Sequence, residues 1–115
     1  PKVAWVAYPD LPEDANHALA QDCLPEGSCG VVAFGIKGGR AAAETFMAEL
    51  RLSSIATHVA DAKNCVLHPD SSTHRQLSDA ELEAAGVSSD LIRFSVGIED
   101  AADIIGDIEA ALQGV

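Results

Sequence analysis

The chain has 115 residues, 48% of them apolar, and its 18 acids against 7 bases give a net charge of −11. That length suits one domain with a modest core, and the apolar content excludes a disordered chain. The acidic balance argues against nucleic acid and anionic membrane surfaces, both of which need clustered Lys and Arg.

No apolar run is long enough to span a bilayer and no signal-peptide pattern is present, so a cytoplasmic location is the default expectation. Cys23, Cys29 and Cys65 lack CxxC spacing. They read as free thiols in a reducing compartment, with Cys65 as a small buried hydrophobe. The chain starts at Pro1-Lys2 and runs straight into an apolar segment, as expected of a piece of something longer.

Val3 to Tyr8 is apolar and partly β-branched or aromatic, which predicts a strand. Pro9-Asp10-Leu11-Pro12 breaks it. Glu13 to Cys23 carries helix formers, with Glu13 and Asp14 in the first turn where the helix dipole favours acids. Gly30 to Lys37 is a second strand, apolar nearly throughout and so buried on both faces or close to it. Gly38-Gly39 turns the chain. Arg40 to Leu50 is a helix with Ala43, Phe46, Met47 and Leu50 on one face.

Ser54 to Val59 predicts a short third strand, and Asn64 to Leu67 is extended. Ser78-Asp79-Ala80-Glu81 fits a capping box, stapled by Leu77 and Leu82, and Gly86 ends that short helix. Leu91 to Val96 is the last strand. Asp100 to Leu112 is the last helix, with Ile104, Ile108, Ala111 and Leu112 as its apolar stripe and Glu99, Asp100 and Asp103 at its positive end. The sum is one α+β domain over residues 1–115: a small, mainly antiparallel sheet of three to four strands with helices packed on one face.

Within the last strand, alternation puts Ile92, Phe94 and Val96 on a core face and Leu91, Arg93 and Ser95 on the other. A guanidinium on a rigid strand suits a carboxylate or phosphate, because its planar fork makes two parallel hydrogen bonds. The plain alternative is a solvated outer face.

Other candidates carry less. Gly35 to Arg40 lacks Walker or dinucleotide spacing and reads as a tight strand-to-helix turn. His58, Asp61, Cys65, His68 and His74 match no common metal spacing, and no metal site is expected. Ser71, Ser72 and Thr73 beside His74 read as a hydrogen-bonded turn. Asp61 and Lys63 suggest a surface ion pair.

Several stretches together resemble one family. They are Trp5-Val6-Ala7-Tyr8-Pro9, Leu24-Pro25-Glu26-Gly27, Phe34 to Gly39, His68-Pro69-Asp70-Ser71-Ser72-Thr73-His74, Gln76-Leu77-Ser78, Gly86-Val87, and Leu91 to Asp100. They are similar to the C-terminal domain of the Cys/Met-metabolism enzymes that depend on pyridoxal phosphate, which have a fold-type I architecture. Asp61-Ala62-Lys63 resembles the O-acetylhomoserine sulfhydrylases rather than the γ-lyases and γ-synthases. His58-Val59-Ala60 stands where Asn-Leu-Gly is usual, Asn64 where Ser or Thr is usual, and Asp70 where Ala is usual.

The resemblance implies that Arg93 binds the substrate α-carboxylate and that His58 and Val59 approach substrate and cofactor. It implies no catalytic or cofactor-binding residue in these 115 residues. Pyridoxal phosphate, the electron sink of the reaction, would be held by a larger N-terminal domain, with the parent enzyme a homo-oligomer, usually a tetramer, acting on a small amino acid. The isolated chain would be inert. Two readings from other classes stand beside it: a free-standing ligand-binding α+β domain, and an oligomerisation module in which Arg93 has no role.

Overall fold

The computed structural model describes residues 2–115. Its elements run β1 (Val3–Ala7), α1 (His17–Cys23), β2 (Val31–Ile36), α2 (Gly39–Glu49), β3 (Ser54–Ile55), β4 (Cys65–Leu67), α3 (Asp79–Ala84), β5 (Leu91–Ser95) and α4 (Ala101–Gly114). All five strands join one sheet in the order β1-β2-β5-β4-β3. Every pairing is antiparallel except β3 with β4, which run parallel. The α+β expectation holds. The sheet has five strands rather than three to four, because the two-residue β3 pairs at one edge and β1 at the other.

The core lies between the sheet and the helices α2 and α4. Phe34 and Ile36 of β2, Val66 of β4, and Ile92 and Phe94 of β5 meet Ala43, Phe46 and Met47 of α2, Leu50, and Ile104 and Ala111 of α4. Phe34 and Phe46 pack edge to face, with ring centroids 5.8 Å apart. Ile36, Phe46 and Ile92 are fully buried. Each such side chain contributes about 1.5–3 kcal/mol relative to exposure. The predicted stripes of α2 and α4 are the faces that pack, with Ile108 and Leu112 partly buried at the margin.

Three local expectations change. The first helix begins at His17, not Glu13. The Asp14 carboxylate instead accepts from the amides of Tyr8 and Asn16. Short acidic side chains favour such turns over helix interiors. The predicted third strand stops at Ile55, so His58 and Val59 belong to a loop. Val96 lies past the end of β5 and is exposed rather than in the core.

The other local signals hold. Glu81 accepts from both the amide and the hydroxyl of Ser78, and Gly86 has the left-handed φ of 72° that ends α3. Leu82 is buried, whereas Leu77 stays exposed. Cys23 and Cys29 are exposed free thiols and Cys65 is a buried one.

Candidate functional site

Strand alternation delivers Arg93 to the sheet face opposite α2 and α4. Its neighbours in register are Ala33 of β2 and Leu67 of β4. One step along, Gly35 pairs with Leu91 and Cys65 with Ser95. Trp5 lies over Gly35, and its indole N–H donates to Asp90 at 3.0 Å. A Cβ on Gly35 would fall 2.1 Å from that indole nitrogen, so only glycine fits beneath the ring.

The loop from Ala56 to Asn64 borders Arg93 and is fastened almost entirely by polar contacts. Arg93 Nη2 donates to the carbonyl of Thr57 at 2.8 Å and to that of His58 at 3.4 Å. The amide of Ala60 donates to the Ser95 hydroxyl at 3.1 Å. The amide of Ile98 donates to the Ala62 carbonyl at 3.0 Å. Glu99 accepts from the Asn64 amide at 2.8 Å. Asn64 is fully buried, and its side-chain amide donates to Ser53 Oγ at 2.7 Å. Ser53 in turn donates to Asp107 of α4. Glu99 therefore turns inward to the loop and does not serve the start of α4. Asp100 caps that helix by accepting from the amide of Ala102.

Two arginines show what is unusual about Arg93. Arg40 is paired with two carboxylates: Nε reaches Asp70 at 2.7 Å and Nη2 reaches Asp79 at 2.9 Å. Among the described residues no Asp or Glu pairs with Arg93, and its buried Nε has no acceptor. A buried donor without a partner costs free energy. Carbonyls fix one edge of this guanidinium and leave the cation without a counter-ion, an arrangement that a carboxylate can complete.

The side chains of His58 and Val59 are exposed. His58 Nδ1 lies 3.1 Å from Asp61, and the Lys63 amide donates to the same carboxylate. That amide and then His58 hold the Asp61 carboxyl below the usual range. The expected Asp61–Lys63 ion pair is thus a backbone contact.

Of the five residues weighed for a metal, His58, Asp61 and Cys65 come together, with donor atoms within 4.8 Å of one another. His68 does not join them. It is buried, with Nε2 on the Ser89 carbonyl and Nδ1 on the Ser71 hydroxyl. Ser72 donates to the His68 carbonyl and Thr73 bonds His74, so this stretch is the hydrogen-bonded turn that its composition predicts.

A cleft of about 520 Å³ between Arg40, Asp79, Leu82 and Ser89 lies away from Arg93, and its one cation is already paired. The sequence places Ser95 beside Arg93 and Asn64 before a strand but assigns a role to neither. The signal for Asn64 is a polar residue directly before the apolar strand β4.

The sheet with one helix-covered face and a strand arginine without a counter-ion define a small α+β domain. Residues 1–113 match the family described as Cys/Met metabolism PLP-dependent enzyme. The chain belongs to that family. It is 42% identical over its full length to an O-acetyl-L-homoserine sulfhydrylase of Leptospira meyeri, covering 26% of that protein. It is 43% identical over its full length to an L-methionine gamma-lyase of Pseudomonas deceptionensis, covering 29% of it.

A Campylobacter jejuni structure described as an O-acetylhomoserine (thiol)-lyase superposes with a TM-score of 0.90 at 32% identity, over 98% of this chain and 27% of that one. The chain thus spans about a quarter of the length of the relatives it matches. The pyridoxyl-lysine of the Campylobacter structure lies outside the matched region. Lys37 and Lys63 are exposed, and the Lys2 ammonium is taken by the carbonyls of Gln113 and Val115. None of these three lysines sits in a buried setting fit for the cofactor.

Proposed function

We propose that this chain is the C-terminal, substrate-side domain of a pyridoxal-phosphate-dependent enzyme of the O-acetylhomoserine sulfhydrylase type. Arg93 holds the α-carboxylate of the amino-acid substrate, with the loop at His58 and Val59 forming one wall. The parent enzyme exchanges the γ-acetoxy group of O-acetylhomoserine for sulfide, releasing homocysteine and acetate. In this reading it is a cytoplasmic homotetramer, and the cofactor is held by its N-terminal domain. The isolated chain is inactive.

The observation that carries the reading is the guanidinium of Arg93, aimed by backbone carbonyls and left without a counter-ion. Holding the carboxylate fixes the rest of the substrate relative to the reacting groups. The Asp61-Ala62-Lys63 turn favours replacement. The near-equal identities to a sulfhydrylase and a γ-lyase keep γ-elimination as the second reading.

Arg93→Lys in the cofactor-loaded enzyme tests the clamp. A lysine keeps the charge but loses the fork, so kcat/KM for the amino acid should fall by about 2–5 kcal/mol, as for cutting one partner from a buried charged pair. Cofactor absorbance should not change. Near-normal turnover at low substrate would show the clamp assignment to be wrong. Supplying O-acetylhomoserine with sulfide, or methionine alone, separates replacement from elimination by product.

A further inference from the structure

Ala60 is the only residue other than glycine with a positive φ among the described residues, at 57°. An L-residue with a side chain pays about 1–2 kcal/mol for that left-handed conformation. Its side chain is exposed, so packing does not hold it there. Its own amide donates to the hydroxyl of Ser95, 1% exposed at the end of β5.

Ser95 is two residues from Arg93, so both project from the same face of one strand. The chain between Ala60 and Arg93's acceptors is short: the carbonyls of Thr57 and His58 lie three and two residues upstream. Farther along, the loop is pinned by Ile98 to the Ala62 carbonyl and by Glu99 to the Asn64 amide. Upstream, the Ala56 amide donates to the Val66 carbonyl as β3 ends, and Ser95 is the nearest anchor on the downstream side of the Arg93 acceptors.

We infer that Ser95 is a positioning residue: by accepting from the Ala60 amide it sets the left-handed turn, and the turn sets the two carbonyls that aim Arg93 at the substrate carboxylate. The inference rests on the reading of Arg93 given above. Ser95 touches no substrate. If the hydroxyl is removed, Ala60 relaxes toward negative φ, the carbonyls of Thr57 and His58 move, and Arg93 loses its fixed direction while keeping its charge. The loss falls on substrate capture rather than on the steps that follow.

The test uses the full-length, cofactor-loaded enzyme with O-acetylhomoserine and sulfide. Ser95→Ala should raise KM for the amino acid by about tenfold with kcat within about twofold, the pattern of lost binding. The KM for sulfide should not move. Ala60→Pro removes the same N–H and locks φ near −65° at an exposed position, so it should reproduce the defect even where Ser95→Ala folds poorly.

Adding Ala60→Gly to Ser95→Ala should recover most of the KM, because glycine adopts the left-handed turn without an anchor. A packing defect at Ser95 would not be rescued from Ala60. An unchanged KM in Ser95→Ala or Ala60→Pro, or a double variant no better than Ser95→Ala, overturns the inference if Arg93→Ala raises KM sharply. If Arg93→Ala leaves KM unchanged, the carboxylate reading itself falls, and the role of Ser95 with it.

Discussion

The two faces of β5 are built by different physics. Ile92 and Phe94 look into a closed apolar layer under α2 and α4. Arg93 and Ser95, interleaved with them, look onto a loop held by hydrogen bonds. Burial on the first face is non-directional and scales with area. The second face depends on single contacts whose geometry has to be right. The helix-covered face should therefore govern whether the chain folds, and the open face what it binds.

Phe46→Ala gives the largest expected effect on this contrast. The ring is fully buried and meets Phe34 edge to face. Its loss should cost about 3–5 kcal/mol, the range for large aromatic truncations in a core. Urea unfolding checks the value. A small shift in the urea midpoint would mean that the helix layer does not dominate stability.

Gly97→Ala should come next, and it attacks the open face. A Cβ there would lie 2.4 Å from the Asn64 amide nitrogen and 2.6 Å from the Ala62 carbonyl oxygen. Both are backbone atoms and cannot step aside as a flexible side chain could. The cost should be about 1–3 kcal/mol, as for overpacking, with the loop between Ala56 and Asn64 displaced. Hydrogen exchange at the Asn64 amide, now bonded to Glu99, would report the displacement. Retained protection there would show that the segment yields elsewhere.

How much was legible follows the same division. The apolar stripes of α2 and α4 and the alternation of β5 come from periodicity, which a local window contains. So do the Ser78–Glu81 cap and the turn after His68. Ser54 to Val59 reads as strand because Ile55, Thr57 and Val59 alternate like a half-buried strand, yet β3 ends at Ile55. What ends β3 is the run of long-range bonds to Ser95, Ile98 and Glu99, which no window includes. Arg93 could be placed on the open face by alternation alone. That its Nε lacks an acceptor, while Arg40 has two carboxylates, needed the structure.

A smaller effect should come from the tie between the faces. Asp107 of α4 accepts from the amides of Arg51 and Ser53 and from the Ser53 hydroxyl. Burial pushes its carboxyl up, but the amides of Arg51, Leu52 and Ser53 outweigh it and hold it below 3.8. A carboxyl with a depressed folded value adds stability that is complete above the unfolded value, near pH 4, and is lost as pH falls through the folded value. Asp107→Asn should therefore lower the melting temperature at neutral pH and flatten its fall below pH 4. An unchanged acid limb would mean that the carboxylate adds nothing to the tie.

The smallest effect runs in the opposite direction. Ala60 holds φ 57°, a conformation that costs alanine about 1–2 kcal/mol. Glycine removes that strain but adds freedom to the unfolded chain, worth roughly 0.4–1 kcal/mol against it. Ala60→Gly alone should thus stabilise the chain by about 0.5–1 kcal/mol, read as a modest rise in the urea midpoint. It should do so without touching the core, since Ala60 is exposed. A fall in stability would mean that the alanine side chain supports the loop in a way its exposure does not suggest. A rise would show that the loop beside Arg93 carries backbone strain at Ala60, on a face whose geometry is set by single contacts.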